Sequence, residues 1–275
     1  MPQLRYLFAF ILLFTSSLSY AQTLDTLVNV GNHSLHFSIM KGEGTPILFE
    51  AGNGDDGSTW QPLLQAIHYQ TGATLITYDR AGLGKSSIDT TSISFRQEIA
   101  DLNIGLATLG YTRNFVVVAH SFGSMYVSEF AQWNGGDIKG AIFIDVSSPC
   151  SLTEEYATRV KNTLKGEMWG MLKQYRRGLY HVLQRFPDIA AYMSDRYLPT
   201  SIPMTVIVAE RYKPTQQIGE TEQDMLNWQA CLKDLGNQPN HTYVTTKDTD
   251  HKVWENAPEV VIKEIVDLYK RTAGN

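Results

Sequence analysis

Residues 115–123 read Phe-Val-Val-Val-Ala-His-Ser-Phe-Gly. The apolar run with its three valines has the composition of a strand buried on both faces. The residues after Gly123, Ser-Met-Tyr-Val-Ser-Glu-Phe-Ala, suit a helix leading away from it. Ser121 therefore falls on a strand-to-helix turn. Such a turn strains its central residue and lifts the hydroxyl out of the fold, so it needs small neighbours, and Ala119 and Gly123 meet that need. We read Ser121 as a nucleophile.

Outward from this turn the chain alternates. Strand patterns cover 46–51, 74–79, 140–146, 204–210 and 241–246, and a hairpin with a tight turn at Gly31-Asn32 spans 24–40. Helical spacing covers 58–68, with Ser58 or Thr59 as cap, and 95–109. A further helix over 124–133 stops at Gly135-Gly136, and a terminal one follows Pro258. Strand alternating with helix predicts a mostly parallel, doubly wound α/β sheet preceded by an antiparallel hairpin. Residues 151–199 break the rhythm: they show helical patterns rich in aromatics, including Trp169 and Tyr180, and no strand. A segment of that length exceeds the usual connection between neighbouring strands.

Ala119-His120-Ser121-Phe122-Gly123 resembles the Gly-x-Ser-x-Gly nucleophile elbow of the α/β-hydrolases, with alanine replacing the first glycine. Residues 79–86, Asp-Arg-Ala-Gly-Leu-Gly-Lys-Ser, resemble that family's Asp-Arg-x-Gly-x-Gly-x-Ser turn, and Phe49 to Asn53 resemble the strand and loop that supply one oxyanion donor. The resemblance spans nearly all of the chain from residue 22 onward and implies an α/β-hydrolase domain over 22–275 with a helical lid at about 151–199. It also implies oxyanion-hole donors on the backbone of Asn53 and Phe122.

A serine hydroxyl needs a base, and in this family the order along the chain is Ser, acid, His. His251, in Thr249-Asp250-His251 after the last strand, stands where the resemblance requires the base. His120 would point away from Ser121, His181 could at most line a pocket, His241 begins a strand, and His33, His36 and His68 read as surface positions. The acid departs from the pattern: Tyr212 occupies its usual place after the strand at 204–210. Asp145 is the preferred substitute, because strand ends of an open parallel sheet face the crevice and a lone carboxylate on an apolar strand needs a partner. Glu210 is the alternative, with Asp224, Asp248 and Asp250 behind it.

Two phosphate-binding patterns fail on charge. Gly52-Asn53-Gly54-Asp55-Asp56-Gly57, with Asp79 further on, imitates a dinucleotide fingerprint, but Asp55 and Asp56 would face a pyrophosphate. Gly84-Lys85-Ser86 imitates the end of a P-loop whose first glycine would be Asp79.

The chain opens with Arg5, an apolar run over 6–14 and the ending Ser19-Tyr20-Ala21, which predicts a secretory signal peptide over 1–21, cleaved near Ala21. The run is short for a bilayer, so no integral membrane span is expected in the mature chain. The net charge is −5, and loss of the leader removes one Arg and no acid, which argues against nucleic-acid binding. The two cysteines, Cys150 and Cys231, form either one disulfide or two buried thiols in an exported chain; neither has metal-site spacing. The expectation is an exported serine hydrolase, without cofactor or metal, acting on an ester, thioester, lactone or amide bond of a small molecule. The alternative is a hydrolase-like ligand-binding or signalling protein. Oligomeric state is not legible.

Overall fold

Strand β5, Phe115–His120, lies between β3, Gly44–Glu50, and β6, Ile138–Ile144, and pairs with both in parallel. All six of its residues are buried. Successive side chains alternate between faces of a sheet, and here both faces are covered: Phe115, Val117 and Ala119 join one apolar cluster and Val116 and Val118 the other. This is why the run is apolar without alternation. The computed structural model describes residues 23–133, 137–211 and 213–273. The leader expected over 1–21, Gly135-Gly136 and Tyr212 lie outside the described residues.

The sheet has eight strands. Besides those named, they are β1 (Thr23–Asn29), β2 (Ser34–Met40), β4 (Ala73–Asp79), β7 (Met204–Ala209) and β8 (His241–Thr246), in the order β1-β2-β4-β3-β5-β6-β7-β8. The first two strands run antiparallel and the rest are parallel. The hairpin turns as its sequence predicts: Val30 N–H donates to His33 O at 3.0 Å, and Gly31 has φ +127°, a conformation that favours glycine.

Helix α1 (Gln61–Thr71) and α10 (Pro258–Thr272) cover one face, through Leu63, Ile67, Val261 and Ile265. On the other face lie α2 (Phe95–Thr108), α3 (Gly123–Trp133) and α8 (Glu222–Gly236), through Ile99, Met125, Trp228 and Leu232. The expected cap at Ser58 or Thr59 is replaced. A 3-10 turn over Gly57–Trp60 precedes α1, and the Asp56 side chain caps it by accepting from Ser58 N–H at 2.9 Å. A carboxylate one residue before the turn outcompetes the hydroxyls inside it.

The segment between β6 and β7 holds four helices: α4 (Glu154–Thr163), α5 (Gly166–Tyr175), α6 (Arg177–Gln184) and α7 (Phe186–Met193). Cys150, at its start, forms a disulfide with Cys231 of α8, with Cα atoms 5.8 Å apart, so both thiols are consumed. Among the described residues no helix is long and apolar enough to cross a membrane.

Candidate active site

The chain leaves β5 at Ser121 with φ 52° and enters α3 two residues later. The turn is held from both sides: Ser121 N–H donates to Ile144 O at 3.2 Å, and Ser147 N–H donates to Ser121 O at 3.0 Å. A Cβ on Gly123 would stand 2.6 Å from Ala51 O and 2.8 Å from Glu50 O, so no larger residue fits there. Ala119, the residue that departs from the family pattern, is fully buried and packs in the sheet, where a methyl group is accommodated.

Asp145 leaves β6 in the same way, with φ 43°, and its side chain is 1% exposed. Its Oδ1 accepts from Ala209 N–H at 3.3 Å, and its Oδ2 lies 2.6 Å from His251 Nδ1. His251 Nε2 in turn lies 2.9 Å from Ser121 Oγ. Because a carboxylate only accepts, the ring proton belongs on Nδ1 and the Nε2 lone pair faces the serine hydroxyl.

His251 sits in the loop between β8 and the short helix α9 (Val253–Asn256). That loop is fastened by Arg211 N–H to Thr249 O at 3.1 Å, Thr249 Oγ–H to Thr246 O at 3.0 Å, and His120. His120 Nε2 donates to the His251 carbonyl at 3.0 Å and its ring stands edge-on to Trp254. Burial, and then the neighbouring His251, hold its pKa well below the ordinary histidine value. It is a neutral strut behind His251, pointing away from Ser121 as the sequence predicts.

The other acid candidates point elsewhere. Glu210 is exposed and joins β8 through its backbone, Glu210 N–H to Thr246 O at 3.3 Å. Asp224 caps α8 with Thr221 and bonds Arg159, Asp248 pairs with Arg211 at the surface, and Asp250 is exposed. The expectation that His33 and His36 are surface residues is corrected. The His33 side chain is 7% exposed beside Asp101, and His36 Nδ1 lies 2.9 Å from Asp79 Oδ2. The turn over residues 79–86 folds across the outer face of β2, with Ser86 Oγ accepting from His36 N–H at 2.8 Å.

That turn explains both phosphate-binding imitations. Asp79 accepts from Gly57 N–H at 2.9 Å and Lys85 N–H at 2.8 Å, so its carboxylate joins two loops of this chain. Gly84, φ +49°, is packed against it, and a Cβ there would stand 2.2 Å from Oδ2. Arg80, fully buried, donates to Glu50 Oε1 and Gly52 O at 2.5 Å each and to Ala51 O at 2.7 Å, and lies over the Tyr126 ring. Burial, the largest single influence, would lower its pKa, and Glu50, Tyr126, Tyr78 and Glu98 together outweigh it and raise the pKa. Arg80 thus fixes the loop that ends in Asn53.

Asn53 and Phe122 both face the cavity at Ser121, which has a volume of about 320 Å³. The hydrogen bonds among the described residues include none donated by either amide, which leaves both N–H groups available to an oxygen in the cavity. Six side chains of the insertion, Tyr156, Val160, Leu164, Leu179, Leu183 and Phe186, line the cavity together with Glu220 and Trp228. Trp228 stands across the His251 ring, with centroids 5.9 Å apart. Trp169 and Tyr180, aromatics of the same insertion, pack on each other and do not line it. Neither does His181. A larger open depression over α4, about 740 Å³, carries no paired nucleophile and base. Among the described residues no cluster of His, Cys, Asp and Glu is placed to hold a metal ion.

Residues 47–269 match the model of a family described as the Alpha/beta hydrolase family. The chain is 25% identical over 242 residues to an uncharacterized protein of Bacillus subtilis, YqjL, an alignment covering 86% of this chain and 88% of that one. Its fold is similar to the haloalkane dehalogenase DatA of Agrobacterium tumefaciens C58, with TM-score 0.64, 16% identity and 90% and 97% of the two chains covered. It is similar as well to a thermophilic esterase of Thermogutta terrifontis, with TM-score 0.57, 20% identity and 91% and 99% covered.

Proposed function

The chain belongs to the alpha/beta hydrolase family, and from that premise we propose that it is an exported serine hydrolase acting on an ester-type bond of a small molecule. The observation that carries the reading is the contact of His251 with both partners, Ser121 Oγ at 2.9 Å and Asp145 Oδ2 at 2.6 Å. These are hydrogen-bonding distances for a nucleophile, a base and an orienting acid.

The steps follow from that geometry. Ser121 Oγ attacks the carbonyl carbon while His251 Nε2 takes its proton, and Asp145 stabilises the imidazolium that forms. The carbonyl oxygen, now negative, accepts from the N–H groups of Asn53 and Phe122; one such donor contributes about 3 kcal/mol in a comparable site. His251 then protonates the departing alcohol, thiol or amine, leaving the acyl group on Ser121. Water enters, gives a proton to His251 and attacks the same carbon, and the proton returns to Ser121 as the acid departs. The four-helix insertion acts as a lid, since Tyr156, Val160, Leu183 and Phe186 exclude water from one side of the cavity.

Export rests on the leader-like residues 1–21 and on the disulfide, a bond typical of oxidising compartments. The test of the chemistry is a fluorophosphonate probe, which bonds only to an activated serine. Labelling is expected at Ser121 and is lost in Ser121→Ala. A chain that binds small ligands without turnover would stay unlabelled, and ester hydrolysis unchanged by Ser121→Ala would sink the assignment.

A further inference from the structure

The cavity beside Ser121 is apolar over most of its wall, with Val160, Leu164, Leu179, Leu183, Phe186 and Ile218 facing it. Among the described residues Glu220 is the one acidic side chain that lines it, and no Lys or Arg does. Glu220 is 6% exposed. A carboxylate is expensive to bring into such surroundings, and this one is placed there by two separate parts of the chain. Tyr156 of α4 donates its hydroxyl to Oε1 at 2.7 Å, and Thr215 N–H donates to Oε2 at 2.7 Å. The backbone on either side is held too. Arg159 Nε donates to Gly219 O at 3.2 Å, and the Thr221–Asp224 capping box begins α8 directly after Glu220.

We propose that Glu220 sets the substrate specificity of this pocket, selecting compounds whose acyl or alcohol part is a short alkyl chain ending in a protonated amine. A carboxylate offers about four acceptor positions, and a bond from an ammonium group to it is among the stronger hydrogen bonds. The apolar lining complements the alkyl part, and among the described residues no Lys or Arg of the wall opposes the ammonium group. Anionic substrates meet a like charge. The bond that is cleaved rests on the serine-hydrolase reading above; the recognition does not.

Calorimetry on Ser121→Ala separates the two, because binding needs no nucleophile. Hexylammonium is expected to bind about 10- to 100-fold more tightly than hexanol. That preference is expected to vanish in Ser121→Ala/Glu220→Gln and to persist in part in Ser121→Ala/Glu220→Asp, with melting temperatures confirming that each variant is folded. Equal affinities, or a preference that survives Glu220→Gln, overturn the proposal. In the native chain, Glu220→Gln is expected to lower kcat/KM for nitrophenyl ω-aminohexanoate at least tenfold more than kcat/KM for nitrophenyl hexanoate. An equal loss for both esters means that Glu220 only supports the fold, and overturns the proposal. Ammonium selectivity in a chain whose Ser121 takes no fluorophosphonate supports the recognition and removes the hydrolase reading alone.

Discussion

Ser121 and Asp145 are neighbours in register on parallel strands and share one backbone conformation. His120 pairs with Ile144 at the ends of β5 and β6, and the next residue of each strand turns into the left-handed region, φ 52° for Ser121 and φ 43° for Asp145. Ser121 N–H donates to Ile144 O across the gap, and one imidazole bridges the two side chains. Each such residue stores about 1–3 kcal/mol of strain, which persists only where the surroundings fix it. Two strained residues at adjacent strand ends, both aimed at His251, form the constellation proposed to be catalytic.

Asp145→Asn is the sharpest test of that arrangement. The amide keeps the shape, but it removes the charge and lets the imidazole take the other tautomer, with Nε2 protonated towards Ser121. An equivalent change in a serine protease lowers kcat about 10⁴-fold. We expect a loss of 10³-fold or more in kcat for a nitrophenyl ester, with KM little changed. Glu210→Gln, on an exposed side chain, is expected to stay within twofold. A Glu210 variant losing as much as Asp145→Asn would reverse the choice of acid.

Most of the fold was legible because its signals are local. The valines of β5 report burial on both faces, and the small residues about Ser121 report a tight turn. Asp145 stands out in the sequence because a carboxylate ends an apolar strand, and it meets His251 106 residues away. What was not legible depends on distant packing. Nothing near Trp228 or Glu220 says that α8 and the loop before it wall the cavity, and Trp169 and Tyr180 look as suited to a pocket as Tyr156 and Phe186 do. His36 reads as the solvent side of a hairpin until the 79–86 turn covers it.

Gly52 is crowded by the residues that frame the proposed oxyanion hole. A Cβ there would stand 2.7 Å from His120 Nδ1 and 3.3 Å from Ser121 Cβ. His120 is buried and fastened to the His251 carbonyl, so the loop carrying Asn53 must yield instead. Gly52→Ala is expected to lower kcat 10- to 100-fold, the order lost when one oxyanion donor is misplaced. Unchanged kcat would show that the Asn53 amide takes no part. Melting temperature should fall only a few degrees, since about 1 kcal/mol of crowding shifts a domain of this size by roughly 2–4 °C.

Glu98 gives the stability a pH dependence. It is buried under α3, accepts from Tyr126 O–H at 2.9 Å, and burial raises its pKa to about 7 from 4.5. The folded state therefore holds the proton more tightly than the unfolded chain does. Its stabilising contribution is full below pH 4.5 and is lost as pH rises towards 7, by up to about 3 kcal/mol. Glu98→Gln is expected to flatten the urea midpoint across this window relative to the native chain. Parallel pH profiles for the two proteins would show that Glu98 is not the titrating group.

The disulfide ties the insertion to the wall of the cavity. Cys150 stands five residues after Asp145, and Cys231 is one turn along α8 from Trp228, whose ring lies across His251. The bond closes a loop of 81 residues, for which the stabilisation is about 2–4 kcal/mol, mainly through restriction of the unfolded chain. Cys150→Ser/Cys231→Ser is expected to lose that amount in urea denaturation, and dithiothreitol to have the same effect on the native chain and none on the double variant. Because α8 also positions Trp228 and begins directly after Glu220, its loosening should act on substrate binding more than on the relay, raising KM several-fold while kcat changes less. A fall in kcat alone would place the effect on His251 itself, and an unchanged midpoint would show that the packing of α8 through Trp228 and Leu232 suffices without the covalent tie.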